Sequence, residues 1–200
     1  MNIVSVMQNS RRTFLLALGL SMLPINTPAM TLAGLELPQR IHVTPQQPLQ
    51  LNGAGVRTKF IYDIYVAALY LEQTSNDSRQ ILNNDGAKRI ALHFIYDEVS
   101  AEKLLEGWKD GFRLNNTRQQ LQQLQQRFEQ SQHLFRTVHA GDTIYIDYLP
   151  GQGTRVSIND QVTGMIPGAD FYQAALKVWL GEHPAQQAMK QGMLGDADID

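Results

Sequence analysis

The segment of this chain best equipped for chemistry is Gly53-Ala54-Gly55-Val56-Arg57, set between apolar stretches. An arginine emerging from apolar strands offers five donors in a planar, permanently charged fork, which matches a carboxylate or a phenolate. Aromatic and aliphatic walls can then bury the rest of a long or flat guest. The aromatic residues near enough in sequence to supply such walls are Tyr62, Tyr65, Tyr70 and Tyr96. At strand spacing they suit a core equally well. Arg57 has a plainer alternative too, as a salt-bridge or carbonyl-capping residue. The glycines before it resemble a fragment of a dinucleotide loop but lack the third glycine and a following helix, so they read as permitting a bend or a close backbone approach.

Other chemistries find less support. The chain has no cysteine, which removes thiol nucleophiles, thiolate metal sites and lipidated cysteine anchors. Its five histidines, His42, His93, His133, His139 and His183, fall in no His-x-x-x-His or His-Glu-x-x-His pairing, so no metal site is expected. His93, on an alternating run, reads as a hydrogen-bonded sheet residue. No Gly-x-Ser-x-Gly elbow occurs, which argues against a serine hydrolase. No cofactor is expected. The alternative is a haem, whose propionates would suit a cleft with an arginine at its mouth and whose iron one histidine could ligate.

The elements that must position these residues follow an export leader. Arg11 and Arg12 precede an apolar run from Phe14 to Leu23, too short for a bilayer span of roughly 20 residues. Thr27 and Ala29 suit cleavage after Ala29, so residues 1–29 read as a signal peptide. Ser10-Arg11-Arg12-Thr13-Phe14-Leu15 also resembles the twin-arginine export motif, which leaves both export routes open. The expectation is a soluble periplasmic protein with no membrane span once the leader is removed. Of 200 residues, 43% are hydrophobic and 18% charged, which fits one ordinary domain rather than a disordered tail. A net charge of −2, made more negative by losing two leader arginines, argues against nucleic acid as a partner.

Along the rest of the chain, Arg40 to Thr44 and Gln47 to Asn52 read as short edge strands limited by prolines. Phe60 to Leu71, apolar on both parities except Asp63, reads as a strand covered on both faces. A short helix around Arg79 to Leu82 and a strand through Ile90 to Tyr96 follow. Ser100 caps a helix carrying Leu104, Leu105, Trp108 and Phe112 on one stripe. A second helix, Thr117 to Phe135, turns Leu121, Leu124 and Phe128 inward and shows solvent a face rich in glutamine. Three short antiparallel strands run from Asp142 to Met165, joined through Pro150-Gly151-Gln152-Gly153 and Asn159-Asp160. Asp170 can cap a helix carrying Phe171, Val178 and Trp179, closed by Gly181, and a last helix covers Ala185 to Leu194. Trp108 and Trp179 read as packing residues. Strands, then helices, then a meander and closing helices indicate α+β: an antiparallel sheet with helices packed on one face.

The run Leu51-Asn52-Gly53-Ala54-Gly55-Val56-Arg57, followed by Tyr65-Val66-Ala67-Ala68-Leu69-Tyr70-Leu71-Glu72, resembles the chalcone isomerase family. Gly141-Asp142-Thr143, Asp147-Tyr148-Leu149-Pro150-Gly151, Gly168-Ala169-Asp170-Phe171, Trp179-Leu180-Gly181 and Leu194-Gly195 extend the likeness to its bacterial chalcone isomerase-like branch. It covers roughly residues 35–195, leaving an acidic tail at 196–200. The resemblance implies an open-faced β-sandwich with a ligand cleft between sheet and helices. In the isomerases an arginine stabilises the anion that adds to an enone; in related plastid proteins an arginine and a tyrosine hold a fatty-acid carboxylate. By resemblance Arg57 takes either role, with Tyr65 near the position of its polar partner and Tyr62 and Tyr96 beside them. On a straight strand, Arg57 and Tyr65 would stand about 26 Å apart. A shared role therefore requires the chain to reverse near Thr58-Lys59. Tyr96 and Lys103 fall in the region of the plant catalytic set, but their neighbours do not match it. The reading is an exported, non-catalytic binder of a small amphipathic or acidic, fatty-acid-like ligand, with an isomerase (intramolecular lyase) as the alternative. A third class is a scaffold that meets an envelope protein through its sheet edge or its glutamine-rich helix.

Overall fold

Side chains alternate across a strand, so each strand sorts its residues onto two faces. In this protein one face carries Ala67, Leu69, Ile90, Leu92, Phe94, Ile144, Ile146 and Ile158, and the other Val66, Ala68, Tyr70, Ala91 and Leu149, all buried. A sheet apolar on both faces needs cover on both. The computed structural model describes residues 29–196, so the leader (except Ala29) and nearly all of the acidic tail lie outside the described residues. β1 (Ala29–Leu32) and β2 (Leu35–Pro38) form a separate hairpin. β3 (Arg40–Thr44), β4 (Gln47–Lys59) and β5 (Tyr62–Leu71) lead to α1 (Ser78–Asn83) and β6 (Lys88–Phe94). A two-residue β7 (Glu98–Val99) precedes α2 (Ala101–Asn115) and α3 (Arg118–Ser131), and a two-residue β8 (Val138–His139) follows them. The chain ends through β9 (Thr143–Leu149), β10 (Gly153–Ile158), β11 (Gln161–Ile166), α4 (Ala169–Leu180) and α5 (Gln187–Met193).

The main sheet is antiparallel with order β11-β10-β9-β6-β5-β4-β3. Helices cover the first face, and residues of the β1–β2 hairpin pack against the second. The α+β class is as expected. The sheet is also strongly curled. Arg155 Nη2 on β10 donates to the carbonyl of Val43 on β3 at 2.9 Å. Those strands are five places apart, about 24 Å in a flat sheet at roughly 4.8 Å per strand. An arginine cannot reach that far, so the sheet closes into a half-barrel around its second face. Inside the curl, Asp147 is fully buried and accepts from Arg89 (2.6 and 2.9 Å) and Arg155 (2.6 and 3.1 Å). Removing the Asp147 carboxylate would leave two largely buried guanidinium groups without their shared counter-charge, so this trio holds as a unit.

On the helix face, Trp108 of α2 donates to Ser131 at the end of α3 at 3.0 Å and packs beside Phe112, Phe128, Phe135, Phe171 and Trp179. Ser100 caps α2 as expected. Thr117 and Gln120 form a reciprocal capping box on α3, which stops at Ser131, where a 3-10 turn takes over. Asp170 does not cap α4. Gly168 takes that position at φ 96°, while the Asp170 carboxylate is gripped by Arg127 of α3 at 2.6 and 2.7 Å. A side chain engaged by a fork of that geometry joins two helices instead of closing one.

α5 lies directly across β4. A Cβ on Gly55 would meet the Met189 carbonyl oxygen at 2.5 Å and its Cα at 2.6 Å, and one on Gly53 would meet the Gly195 nitrogen at 2.8 Å. These glycines therefore admit a helix backbone against a strand backbone, the close approach expected of them. Asn52 locks the arrangement, donating to the carbonyls of Ser75 (3.0 Å) and Met193 (2.8 Å). Gly55→Ala should therefore cost about 1–3 kcal/mol through overpacking. Gly107→Ala, in the exposed interior of α2 where a Cβ would meet nothing within 4 Å, should stabilise by about 0.5–1 kcal/mol. Urea unfolding of the two variants checks both signs.

Candidate functional site

Phe60 and Ile61 are not strand. They form a two-residue reversal between Lys59 and Tyr62, which pair across β4 and β5. Their apolar character reads as strand in sequence, but the turn folds the run back and sets Arg57 directly opposite Tyr65 in the ladder. The requirement for a reversal is met, one residue beyond Thr58-Lys59. Directly opposed residues share a face. Tyr65 packs against the helix-side core, so Arg57 faces the helices as well.

Arg57 Nη1 donates to the Thr58 carbonyl at 3.2 Å and to Gln186 Oε1 at 3.1 Å. The same Gln186 oxygen accepts from the Thr58 backbone N–H at 2.9 Å. Gln186 is the residue that precedes α5, so the helix packed on Gly53 and Gly55 also delivers the acceptor that meets Arg57. Among the described residues no carboxylate lies within 4 Å of the guanidinium. Burial raises the Tyr65 pKa above its ordinary value; the Trp179 indole and the Arg57 charge oppose that shift without reversing it. Tyr65 is therefore a neutral hydroxyl donor at physiological pH. Trp179 lies close enough to influence that hydroxyl, yet its buried Nε1–H has no partner of hydrogen-bond geometry. Sequence reading assigned Trp179 to packing alone and passed over Gln186. Nothing local marks either, since their role comes from where α4 and α5 land.

Tyr62 and Tyr96 meet edge to face at 5.6 Å, and Tyr65 meets Phe94 in the same way at 5.4 Å. All four residues singled out in the sequence, Arg57, Tyr65, Tyr62 and Tyr96, thus stand at one end of the sheet. Tyr62 is 53% exposed. Tyr70, by contrast, points into the second face beneath the half-barrel. His93 also faces that side, with Nδ1 3.1 Å from the Thr143 hydroxyl. Among the described residues no three His, Asp or Glu side chains converge as a metal site.

Two cavities, of about 150 and 180 Å3, lie at the opposite end of the sheet, and neither is bordered by Arg57 or Tyr65. Lys88 and Asn84 line both. Lys88 is only 3% exposed, donates to the carbonyls of Asn84 and Gly86, and rests over the Tyr148 ring. Around Arg57 the helix side is closed by Gln186 and α5. A guest accepting from Nη1 would have to displace the Gln186 carbonyl.

A curled seven-stranded antiparallel sheet with helices over one face places the protein among open-faced α+β sandwiches. A family model described as chalcone isomerase-like matches residues 29–195, and the chain belongs to that family. The structure is similar to a fatty-acid binding protein of Arabidopsis thaliana, with a TM-score of 0.67 and 14% sequence identity over 84% of this chain and 97% of that one. No curated protein sequence matches the chain.

Desolvation lowers the Lys88 pKa to about 8 in the folded chain from 10.5, against the pull of Asp85 and Glu72. Between those two values the unfolded chain binds more protons than the native one, so stability rises with pH, by at most about 3 kcal/mol. Tyrosines held above their ordinary value reverse this trend from about pH 10 upward. Urea unfolding should show the native state gaining stability from pH 8 to pH 9.5, and Lys88→Met should flatten that rise.

Proposed function

We propose that this protein is a non-catalytic binder of a small amphipathic acid of the fatty-acid type, whose carboxylate takes the place of Gln186 Oε1 on Arg57. The observation that carries this reading is a partly buried guanidinium with no acidic partner among the described residues, opposed across the ladder by a neutral tyrosine hydroxyl. A carboxylate accepts several donors at once and gains more from a charged fork than an amide oxygen does. The apolar part of the guest would lie along Tyr62 and Tyr96 at the open end of the sheet. A phenol held above its ordinary pKa is a donor, which suits holding a carboxylate beside Arg57. The fatty-acid binding description of the structural neighbour supports the same class of ligand.

Native mass spectrometry of the protein, as purified and after incubation with dodecanoate, tests the proposal. The chain should carry one acyl acid, and Arg57→Ala should lose it by at least about tenfold in affinity, as expected when a charge-assisted hydrogen bond is removed. Its circular dichroism should stay unchanged. Retention of dodecanoate by a folded Arg57→Ala chain would rule out the guanidinium as the anchor.

We infer further that residues 1–29 act as an export leader, whose charged and apolar pattern supports binding in the periplasm of a bacterial cell. Fractionation should recover a chain shortened by about 29 residues, with cleavage after Ala29. An uncleaved chain in the cytoplasmic fraction would refute export.

A further inference from the structure

Three two-residue hairpin loops in the described chain turn through a positive φ: Ala33-Gly34, Phe60-Ile61 and Asn159-Asp160. Two of them use residues that such turns favour. Ala33-Gly34 sits at φ 49° and 78°, and Asn159-Asp160 at 49° and 63°. Glycine lacks the Cβ clash, and Asn and Asp tolerate the left-handed region. The third breaks the rule twice. Phe60 stands at φ 58° with Ile61 at no positive φ, the pattern of a type II′ turn, whose first central position favours glycine. It is also 90% exposed, and Ile61 beside it is 84% exposed. A bulky side chain in this region is an outlier, and strain kept alongside exposed apolar surface points to a use.

The tip's position narrows that use. β6, the neighbour of β5, stops pairing at Tyr65–Phe94, so Thr58 to Asp63 project past the sheet with no strand beside them. Phe60 lies about 10 Å beyond Arg57 along the strand. Lys59 flanks the tip, and the acid nearest in sequence, Asp63, accepts from the Thr58 hydroxyl at 2.8 Å. Two side chains on a narrow projection fall far short of the roughly 800 Å2 per partner that a stable protein interface buries. One or two apolar side chains that enter the acyl boundary, with a lysine and tyrosine rings at the headgroup level, suffice for reversible attachment to lipid.

We propose that the Lys59-Phe60-Ile61-Tyr62 tip docks the protein on a lipid bilayer, with Phe60 and Ile61 inserted. The proposal is independent of the ligand reading, because it concerns attachment and not retention. It also gives the candidate site a source of amphipathic acids, since the Arg57 end of the sheet would face the membrane.

The absence of cysteine allows a single reporter to be placed at will. Phe60→Cys, labelled with an environment-sensitive dye in the full chain, should shift its emission to the blue on mixed phosphatidylcholine and phosphatidylglycerol vesicles. The same dye at Gln152→Cys, an exposed loop at the other end of the sheet, should not shift. In sedimentation with those vesicles, the double variant Phe60→Gly, Ile61→Asn should partition less by at least about fivefold than the parent chain. The leader segment is common to both chains, so the difference between them isolates the tip. The double variant should melt no lower than the parent, because the new residues suit the turn. No shift at Phe60, an equal shift at both labels, or equal partitioning of a folded double variant would each overturn the proposal.

Discussion

Backbone contact between α5 and β4 is the constraint on which the candidate site depends. Gly53 and Gly55 leave the helix side of β4 bare, and the carbonyl and Cα of Met189 take up that space. A side chain at either position would lift the helix away. Because the helix sits so low, Gln186 arrives within hydrogen-bond reach of both Arg57 and the Thr58 amide. The Gly-Ala-Gly-Val-Arg segment thus acts as one device, with the glycines seating a helix whose leading residue meets the arginine.

The two faces of the sheet solve different problems. The helix face buries a continuous aromatic and aliphatic core in which Trp108, Phe112 and Phe171 contact residues from three helices. The other face closes on itself and carries the buried Asp147 between two arginines. The trio ties three neighbouring strands, β6, β9 and β10, and the Arg155 bond to Val43 reaches across the curl to β3, five places away. Lys88 and Tyr172 mark the far end of the helix face, where burial pushes an amine down and a phenol up. Both shifts have the same origin in desolvation.

At the Arg57 end the groups present are donors: a guanidinium, a tyrosine hydroxyl kept neutral by burial and an indole N–H without a partner. Donors of this kind suit retention of an anion. The amide oxygen of Gln186 fills the acceptor position and closes the cleft against the sheet.

Much of the architecture was legible in the residues themselves. The cap at Ser100, the alternation through Ile90 to Phe94 and the turn chemistry of Pro150 to Gly153 and Asn159-Asp160 are local signals, and each produced the element expected. Periodicity and capping act within a few residues, so a sequence carries them openly. Phe60-Ile61 was misread because an exposed apolar turn has the composition of a strand. Asp170 was misread because its partner, Arg127, lies 43 residues away. The placement of Tyr65 opposite Arg57, the arrival of Gln186 and the unpartnered Trp179 nitrogen depended wholly on how distant elements settle. Local patterns thus marked most of the elements and the arginine, while the arginine's neighbours came from the fold, because contacts between distant segments are set by packing, which no local pattern records.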